Sequence, residues 1–343
     1  MTPERFQSIT SKYGPLRIAI VGDFCLDRYL EIDPAKQETS IETGLPVHNV
    51  VNVRAVPGGA GTILNNLASL RVKEIWPVGF AGEDGEGYEL RRALAAHPQT
   101  RLDHFFQTNS RRTFTYCKPL LQQRGRQPRE LNRLDQKNWT PTPSTMSERI
   151  SASARSLVDE VDAVVLLSQV NEPETGVLTA SVLKTIAKIH RAKPQLPILA
   201  DSRKGLRDFP PVIFKMNAAE LSDYCESSLL LELDDIAAAA KGLACRNGHP
   251  VFVTLAERGM VGASSDGQTE HVRALPLRGP IDIVGAGDAV MANLAAALAV
   301  GATLREALEL ANAAASVVIH QFGETGTASS AQLREVLFQD TQD

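Results

Sequence analysis

Short apolar runs alternating with helix-period segments constrain this chain more than any other feature of its sequence. Residues 16–21, 74–80, 163–167, 197–200, 212–216 and 251–254 are rich in Val, Ile and Leu. Between them lie amphipathic segments at 62–70, 86–96, 146–161, 175–192 and 235–246, whose spacing predicts helices. A strand that reads as a near-continuous apolar run is buried on both faces, and intervening helices supply that cover. The expectation is an α/β fold with a mostly parallel central sheet between two helical layers. Helices over 289–300, 304–321 and 331–338 would close it. Two stretches break the rhythm: residues 30–56 and 102–122 have strand character without a helix between them. They are expected to form a small β lid outside the main sheet. Asp266-Gly267 between two short strands reads as a hairpin turn.

At 343 residues the chain is long enough for one large α/β domain, 1–343, with such an excursion. A formal net charge of -4 argues against a polyanion such as nucleic acid as partner. The longest apolar candidate, 286–302, is short and interrupted by Asp288 and Asn293, and Met1-Thr2-Pro3-Glu4-Arg5 is not a signal-peptide start. No membrane contact and a cytoplasmic location are therefore expected. Cys25, Cys117, Cys225 and Cys245 are scattered without a C-x-x-C pair or a histidine at metal spacing, so reduced thiols are expected.

The chemistry is concentrated in Asp282-Ile283-Val284-Gly285-Ala286-Gly287-Asp288, which runs into an apolar small-residue helix. Gly285, Ala286 and Gly287 permit a tight turn whose following N–H groups face any anion placed there. Asp288 at the same spot is placed to take a proton from a hydroxyl. A base beside an anion hole implies group transfer to an alcohol. The plainer reading is an Asp that merely caps a helix.

Other segments in the right order decide between the two. The Asp282 to Asp288 spacing resembles the second signature of the PfkB, or ribokinase-like, carbohydrate kinases, and Pro57-Gly58-Gly59-Ala60-Gly61-Thr62-Ile63-Leu64-Asn65-Asn66 resembles the first. Gly22-Asp23-Phe24-Cys25-Leu26-Asp27-Arg28-Tyr29, Ser40 to Val47 and Leu131-Asn132-Arg133-Leu134-Asp135 look most like the heptose-7-phosphate kinases of that family. The resemblance covers residues 16–330. The chain has Gly61-Thr62 where heptose kinases show Asn, Ile63 where ribokinases carry theirs, and Ala256 where many relatives have Gly.

The resemblance implies a ribokinase-like three-layer sandwich, with the lid over the sugar and a homodimer formed through it. It implies ATP and Mg2+ as cofactors, with a monovalent cation in several relatives beside the loop Gly323-Glu324-Thr325-Gly326-Thr327. It makes Asp288 the general base and Gly285, Ala286 and Gly287 the anion cradle. Asp27, Arg28, Gly58, Gly59, Asn65 and Arg133 would bind the sugar, and Asp23 would be a turn residue. Arg203 and Lys204, in Asp201-Ser202-Arg203-Lys204-Gly205, would clamp the nucleotide phosphates. Thr254, Glu257, Gly259 and Asn312 would line the nucleotide. Asn217 and Glu220 form an N-x-x-E resembling the metal-associated motif, or an ordinary helix start with an Asn cap.

Residues 111–133 carry Arg111, Arg112, Arg124, Arg126, Arg129 and Arg133 with Lys118. Most read as a solvated face, while Arg28 and one or two lid arginines are read as holding a phosphate already present on the sugar. The first expectation is an ATP-dependent kinase acting on the anomeric hydroxyl of a heptose 7-phosphate. The alternatives are another PfkB acceptor (fructose, ribose or a nucleoside) or a non-catalytic sugar or nucleotide sensor of the same fold. No G-x-G-x-x-G follows the first strand, which disfavours a dehydrogenase. The sequence holds no H-x-G-H nucleotidyltransferase segment, so kinase chemistry alone is expected of it.

Overall fold

The structure is a computed structural model and describes residues 1–123, 125, 127–227, 232–321 and 325–338. Among these residues one nine-stranded sheet runs through Thr269–Val272, Met260–Ala263, Val251–Thr254, Ile213–Asn217, Ile198–Ser202, Ala163–Ser168, Arg17–Gly22, Glu74–Gly82 and Phe105–Thr108. Every neighbouring pair from Val251–Thr254 to Phe105–Thr108 is parallel. The two pairs at the other edge are antiparallel, with Asp266-Gly267 between their strands.

Side chains alternate across the sheet and both faces are covered. Ile18 and Ile20 join a core with the helices Ala60–Ser69, Ala286–Ala299 and Leu304–Val318. Ala19 and Val21 join a second core with Ser144–Leu157, Ala180–Ala192 and Leu233–Asn247. The result is the expected three-layer arrangement.

A four-stranded sheet stands outside it, in the order Val50–Gly59, Phe24–Ile32, Thr115–Leu121, Arg129–Glu130. Its central strand, Phe24–Ile32, continues directly from Arg17–Gly22, so the stretch around Asp27 is strand and not loop. The part of 102–122 that forms Phe105–Thr108 pairs with Glu74–Gly82 in the main sheet instead of the lid. Arg124 and Arg126 lie outside the described residues.

Two helical details also differ from the sequence reading. The helix expected from 175 starts at Ala180, because Asp23 and Arg111 hold the preceding segment in a bent, non-helical path. Val177 N donates to Asp23 Oδ1 at 2.7 Å, and Arg111 Nη2 donates to the Thr175 carbonyl at 3.1 Å. A short helix, Pro3–Thr10, precedes the first strand, capped by Thr2 and started by Pro3. Its Phe6 packs edge-on against Phe338 at 5.6 Å, a long-range contact that eight residues of pattern do not announce.

Candidate active site

The helix Ala286–Ala299 starts on Gly285, whose φ of 82° lies in the left-handed region. A Cβ there would also stand 2.7 Å from Thr325 Cγ2. Glycine therefore answers both the turn and the close approach. Asp282 shapes the entry, its Oδ1 accepting from Val284 N at 3.0 Å. Gly285 offers no capping side chain, and the first-turn N–H groups of a helix have no intrahelical partner. Asp288 sits in this turn. Burial pushes its carboxyl up to about 7; Lys215 opposes the rise, Asp201 and Asp27 add to it, and Arg203 opposes it. A carboxylate poised near neutrality at a helix N-terminus is suited to receive a hydroxyl proton.

The lid brings Asp27 over this turn. Asp27 is buried and its Oδ1 lies 2.9 Å from Lys118 Nζ. A Cβ on Gly58 would stand 2.5 Å from Asp27 Oδ2, so the carboxylate rests against bare backbone. Gly59 follows at the start of the Ala60–Ser69 helix. Lys118 Nζ also donates to the Tyr29 hydroxyl at 3.4 Å, and the Arg54 guanidinium lies 4.8 Å from the Tyr29 ring centre.

Further along the same lid face, Tyr116 is surrounded by cations. The Arg133 guanidinium stacks over its ring at 4.5 Å, with Arg203 at 5.8 Å and Lys137 at 5.9 Å. Arg203 Nη1 donates to the Tyr116 hydroxyl at 2.6 Å. Arg203 was expected to clamp nucleotide phosphates and is instead bonded to the lid, although its charge still reaches Asp288. Arg133 reaches this face, and its Nε–Nη2 edge donates to Asp135 Oδ1 and Oδ2 at 3.1 and 3.0 Å.

Two expected sugar ligands point elsewhere. Arg28 follows Asp27 in a strand, and successive strand residues face opposite sides. It pairs at 3.4 Å with both Glu86 and Glu89 of the helix Gly85–Ala95. Asn65 sits one helical step away from the site and its Oδ1 meets His97 Nε2 at 2.9 Å. The neighbouring Asn66 is the buried one, bonded to the Thr62 and Gly326 carbonyls at 3.0 and 3.3 Å. Thr62 is buried beside Gly285, with its hydroxyl 3.4 Å from the Pro57 carbonyl.

On the other side, Asn217 and Glu220 form a capping box for the helix Ala218–Tyr224. Glu220 N donates to Asn217 Oδ1 at 2.9 Å and Asn217 N donates to Glu220 Oε2 at 2.7 Å. Burial raises the Glu220 carboxyl, with Asp201 adding to the rise and Lys215 opposing it. Arg203, Lys204 and Glu220 line a cleft of about 620 Å³. Thr254 is register partner of Asn217 at the ends of adjacent strands. Ala256 adopts a φ of 51°, so the left-handed turn survives without the expected glycine. Glu257 is exposed in that turn, and Gly259 closes it by accepting from Leu255 N at 2.8 Å. Asn312 is buried and donates to the Arg273 carbonyl at 2.8 Å, holding the segment after Thr269–Val272. Gly323 and Glu324 lie outside the described residues.

Sequence reasoning missed Lys215, Asp201, Lys118 and Tyr116. Lys215 is buried, with its Nζ 2.6 Å from Asp201 Oδ2. Burial pulls its ammonium down, but Asp201 and Asp288 outweigh that and the net displacement is upward. The available signal was a lysine inside the apolar run Val212-Ile213-Phe214-Lys215-Met216, since lysine is almost never buried unless paired.

Comparison with known proteins gives the family and the fold. The pfkB family carbohydrate kinase profile matches residues 17–331. The bifunctional protein HldE of Gluconobacter oxydans is 30% identical over 325 residues, covering 94% of this chain and 65% of that protein. Its counterpart in Azorhizobium caulinodans is 31% identical over 325 residues, covering 93% and 64%. The chain thus spans just under two thirds of the length of these relatives. Among solved structures, phosphofructokinase-2 of Escherichia coli in complex with potassium superposes with a TM-score of 0.73 at 17% identity, covering 95% of this chain and all (100%) of that one. Arabidopsis thaliana ribokinase complexed with ribose and ATP gives 0.69 at 20% identity, with 94% and 99% covered. Those likenesses establish the ribokinase-like fold. With the family profile over nearly its whole length, the chain belongs to the pfkB family of carbohydrate kinases and is a sugar-kinase phosphotransferase.

Proposed function

We propose that this kinase transfers the γ-phosphoryl group of ATP to the anomeric hydroxyl of a heptose 7-phosphate. The observation that carries a phosphorylated acceptor is the cationic lid face: Lys118, Arg133, Arg203 and Lys137 gather around Tyr29 and Tyr116 on the side that holds Asp27. Guanidinium and ammonium groups at this density suit phosphate oxygens. Asp27 accepts hydrogen bonds from sugar hydroxyls. Asp288 takes the proton of the attacking hydroxyl as the new O–P bond forms, and the N–H groups of Gly287 and Asp288 face the charge on the moving group.

The residues present fit Mg2+ as a nucleotide-borne ion. Among the described residues no three ligating side chains cluster, while Glu220 and Asp201 offer hard oxygen donors beside the site. Magnesium is commonly held by phosphates and water with one or two carboxylates, and here it would offset phosphate charge. Asn217 and Glu220 would support it through water. Thr325 Oγ1, buried and without a hydrogen-bond partner among the described residues, is a donor for a monovalent cation on the same side. The reading includes a homodimer through the lid, whose strand Val50–Gly59 exposes Val50, Val51 and Val53. Thr62 in place of an asparagine favours a second reading, another sugar acceptor of the same family.

An acceptor panel scored by ADP release tests the proposal. Heptose 7-phosphate should exceed the unphosphorylated heptose, fructose, ribose and nucleosides by about tenfold or more in kcat/KM, the scale of one charge-assisted contact. Equal values with and without the phosphate mean a neutral-sugar kinase.

A further inference from the structure

The lid strand Thr115–Leu121 and the main-sheet strand Ile198–Ser202 belong to different sheets, and the side chain of Arg203 joins them. Its base is fixed on the main sheet. Arg203 N donates to the Ser168 carbonyl at 3.0 Å, and Gly205 N donates to the Ser202 carbonyl at 3.0 Å, so the turn is tied to the ends of two adjacent parallel strands. The far end is fixed on the lid, where Nη1 donates to the Tyr116 hydroxyl at 2.6 Å. Tyr116 is itself held firmly. It is buried, with its ring packed against Phe114 at 4.8 Å in a cluster with Cys25 and Val170.

The chemistry of that anchor sets Arg203 apart from its neighbours on the lid face. Lys118 pairs with Asp27 and Arg133 with Asp135, so a carboxylate offsets each of those charges. Arg203 is bonded to a phenol instead. Burial pushes the Tyr116 hydroxyl up to about 12; Cys25 adds to the rise, and Arg203 and Arg133 oppose it. The partner is therefore a neutral oxygen, which orders the guanidinium and leaves its charge in place. That charge acts on Asp288. A guanidinium has five N–H groups, and the Tyr116 hydroxyl takes one of them. Without such an anchor a long side chain on an exposed turn would spread over many rotamers, and ordering it would cost entropy at each turnover.

We propose that Tyr116 is a positioning residue for phosphoryl transfer, whose hydroxyl holds the charged Arg203 guanidinium between the lid and the catalytic turn. The proposal rests on the reading of Arg203 as one of the cations that face phosphate oxygens. Tyr116 acts only through Arg203, and neither side chain exchanges a proton.

Steady-state kinetics of Tyr116→Phe, Arg203→Ala and the double variant test this, with heptose 7-phosphate as acceptor or, if the acceptor panel favours another sugar, with that sugar. Tyr116→Phe keeps the ring, its packing on Phe114 and the stacked Arg133, and removes only the hydroxyl. Its kcat should fall about ten- to a hundredfold, the range of one hydrogen bond to a charged group, with both KM values within about threefold of wild type. Arg203→Ala should lose at least as much, and adding Tyr116→Phe to it should lower kcat by less than about twofold further. A kcat within about twofold of wild type in Tyr116→Phe, or losses that multiply in the double variant, would make Tyr116 a packing residue of the lid and overturn the proposal. Wild-type kcat in Arg203→Ala would overturn the reading of Arg203 and the proposal with it. Turnover of another sugar and not of heptose 7-phosphate would overturn the acceptor reading alone, and the same cycle with that sugar decides on Tyr116.

Discussion

Replacing Asp288 by Asn should make the protein more stable at alkaline pH while nearly abolishing its activity. In the folded protein the Asp288 carboxyl is pushed from its ordinary 3.8 up to about 7. Below 3.8 it is protonated folded and unfolded alike, and contributes nothing. As pH rises between these values the unfolded chain releases the proton and the folded one keeps it, so stability falls until about 7 and stays reduced above. At 1.36 kcal/mol per pH unit the full deficit is about 4 kcal/mol. Asp288 is half-buried, so solvent screening reduces this to about 2 kcal/mol. Asn carries no such deficit. Its melting temperature should exceed wild type by about 4 °C near pH 8 and match it near pH 4. Turnover of the same variant should fall by about two to four orders of magnitude, the scale of positioned general-base catalysis. Wild-type kcat/KM should fall about tenfold per pH unit below about 7, the midpoint at which stability levels off. Thermal melts across pH and a pH–rate profile supply both curves. An Asn variant less stable than wild type near pH 8, or a flat wild-type profile from about pH 6 to 8, would refute the placement of Asp288 as a desolvated base.

Asp27→Ala should raise the acceptor KM by about tenfold or more and leave nucleotide affinity unchanged by calorimetry, because the carboxylate sits on the lid between Lys118 and Gly58. Arg28→Ala should change acceptor kcat/KM by less than about twofold and stability by at most about 1 kcal/mol, since its partners are Glu86 and Glu89 on the opposite face; a selective loss with a phosphorylated acceptor would return it to the sugar site. Ala256→Gly should stabilise by about 0.5 kcal/mol in urea unfolding, because relief of the left-handed backbone of an L-residue outweighs glycine's extra chain entropy; a lower midpoint would mean that the alanine methyl packs.

The sheet was legible because burial on both faces turns each strand into an apolar run, and that signal needs no tertiary knowledge. Helix starts were legible where a cap sits next to the periodic segment, as with Asn217 and Glu220, which form the capping box the plainer reading described. They were not legible where a distant residue fixes the backbone. Nothing near Val177 says that Asp23 will hold it off helical geometry. The lid was half legible: its strand character showed, but Phe105–Thr108 and Thr115–Leu121 look alike locally and are sorted to different sheets by pairing partners.

Where the structure places the expected site residues follows from orientation. Arg28 was grouped with Asp27 by adjacency, which is right for a loop and wrong for a strand, where adjacency means opposite faces. Asn65 and Asn66 are likewise separated by one helical step, and only the second turns inward to Gly326. Arg203, expected from its segment as a phosphate clamp, lines the cleft and bonds to Tyr116 on the lid. Lys118 and Lys215, which the sequence reading did not single out for the site, have in common a charge set within an otherwise strand-like run. Each is paired with an aspartate, the half-buried Lys118 with Asp27 and the buried Lys215 with Asp201. A buried ion pair is weak evidence for stability, since desolvation offsets much of its attraction. Asp27, Asp201 and Lys215 all act on the Asp288 carboxyl, so these pairs bear on the charge at the helix N-terminus and not on stability alone.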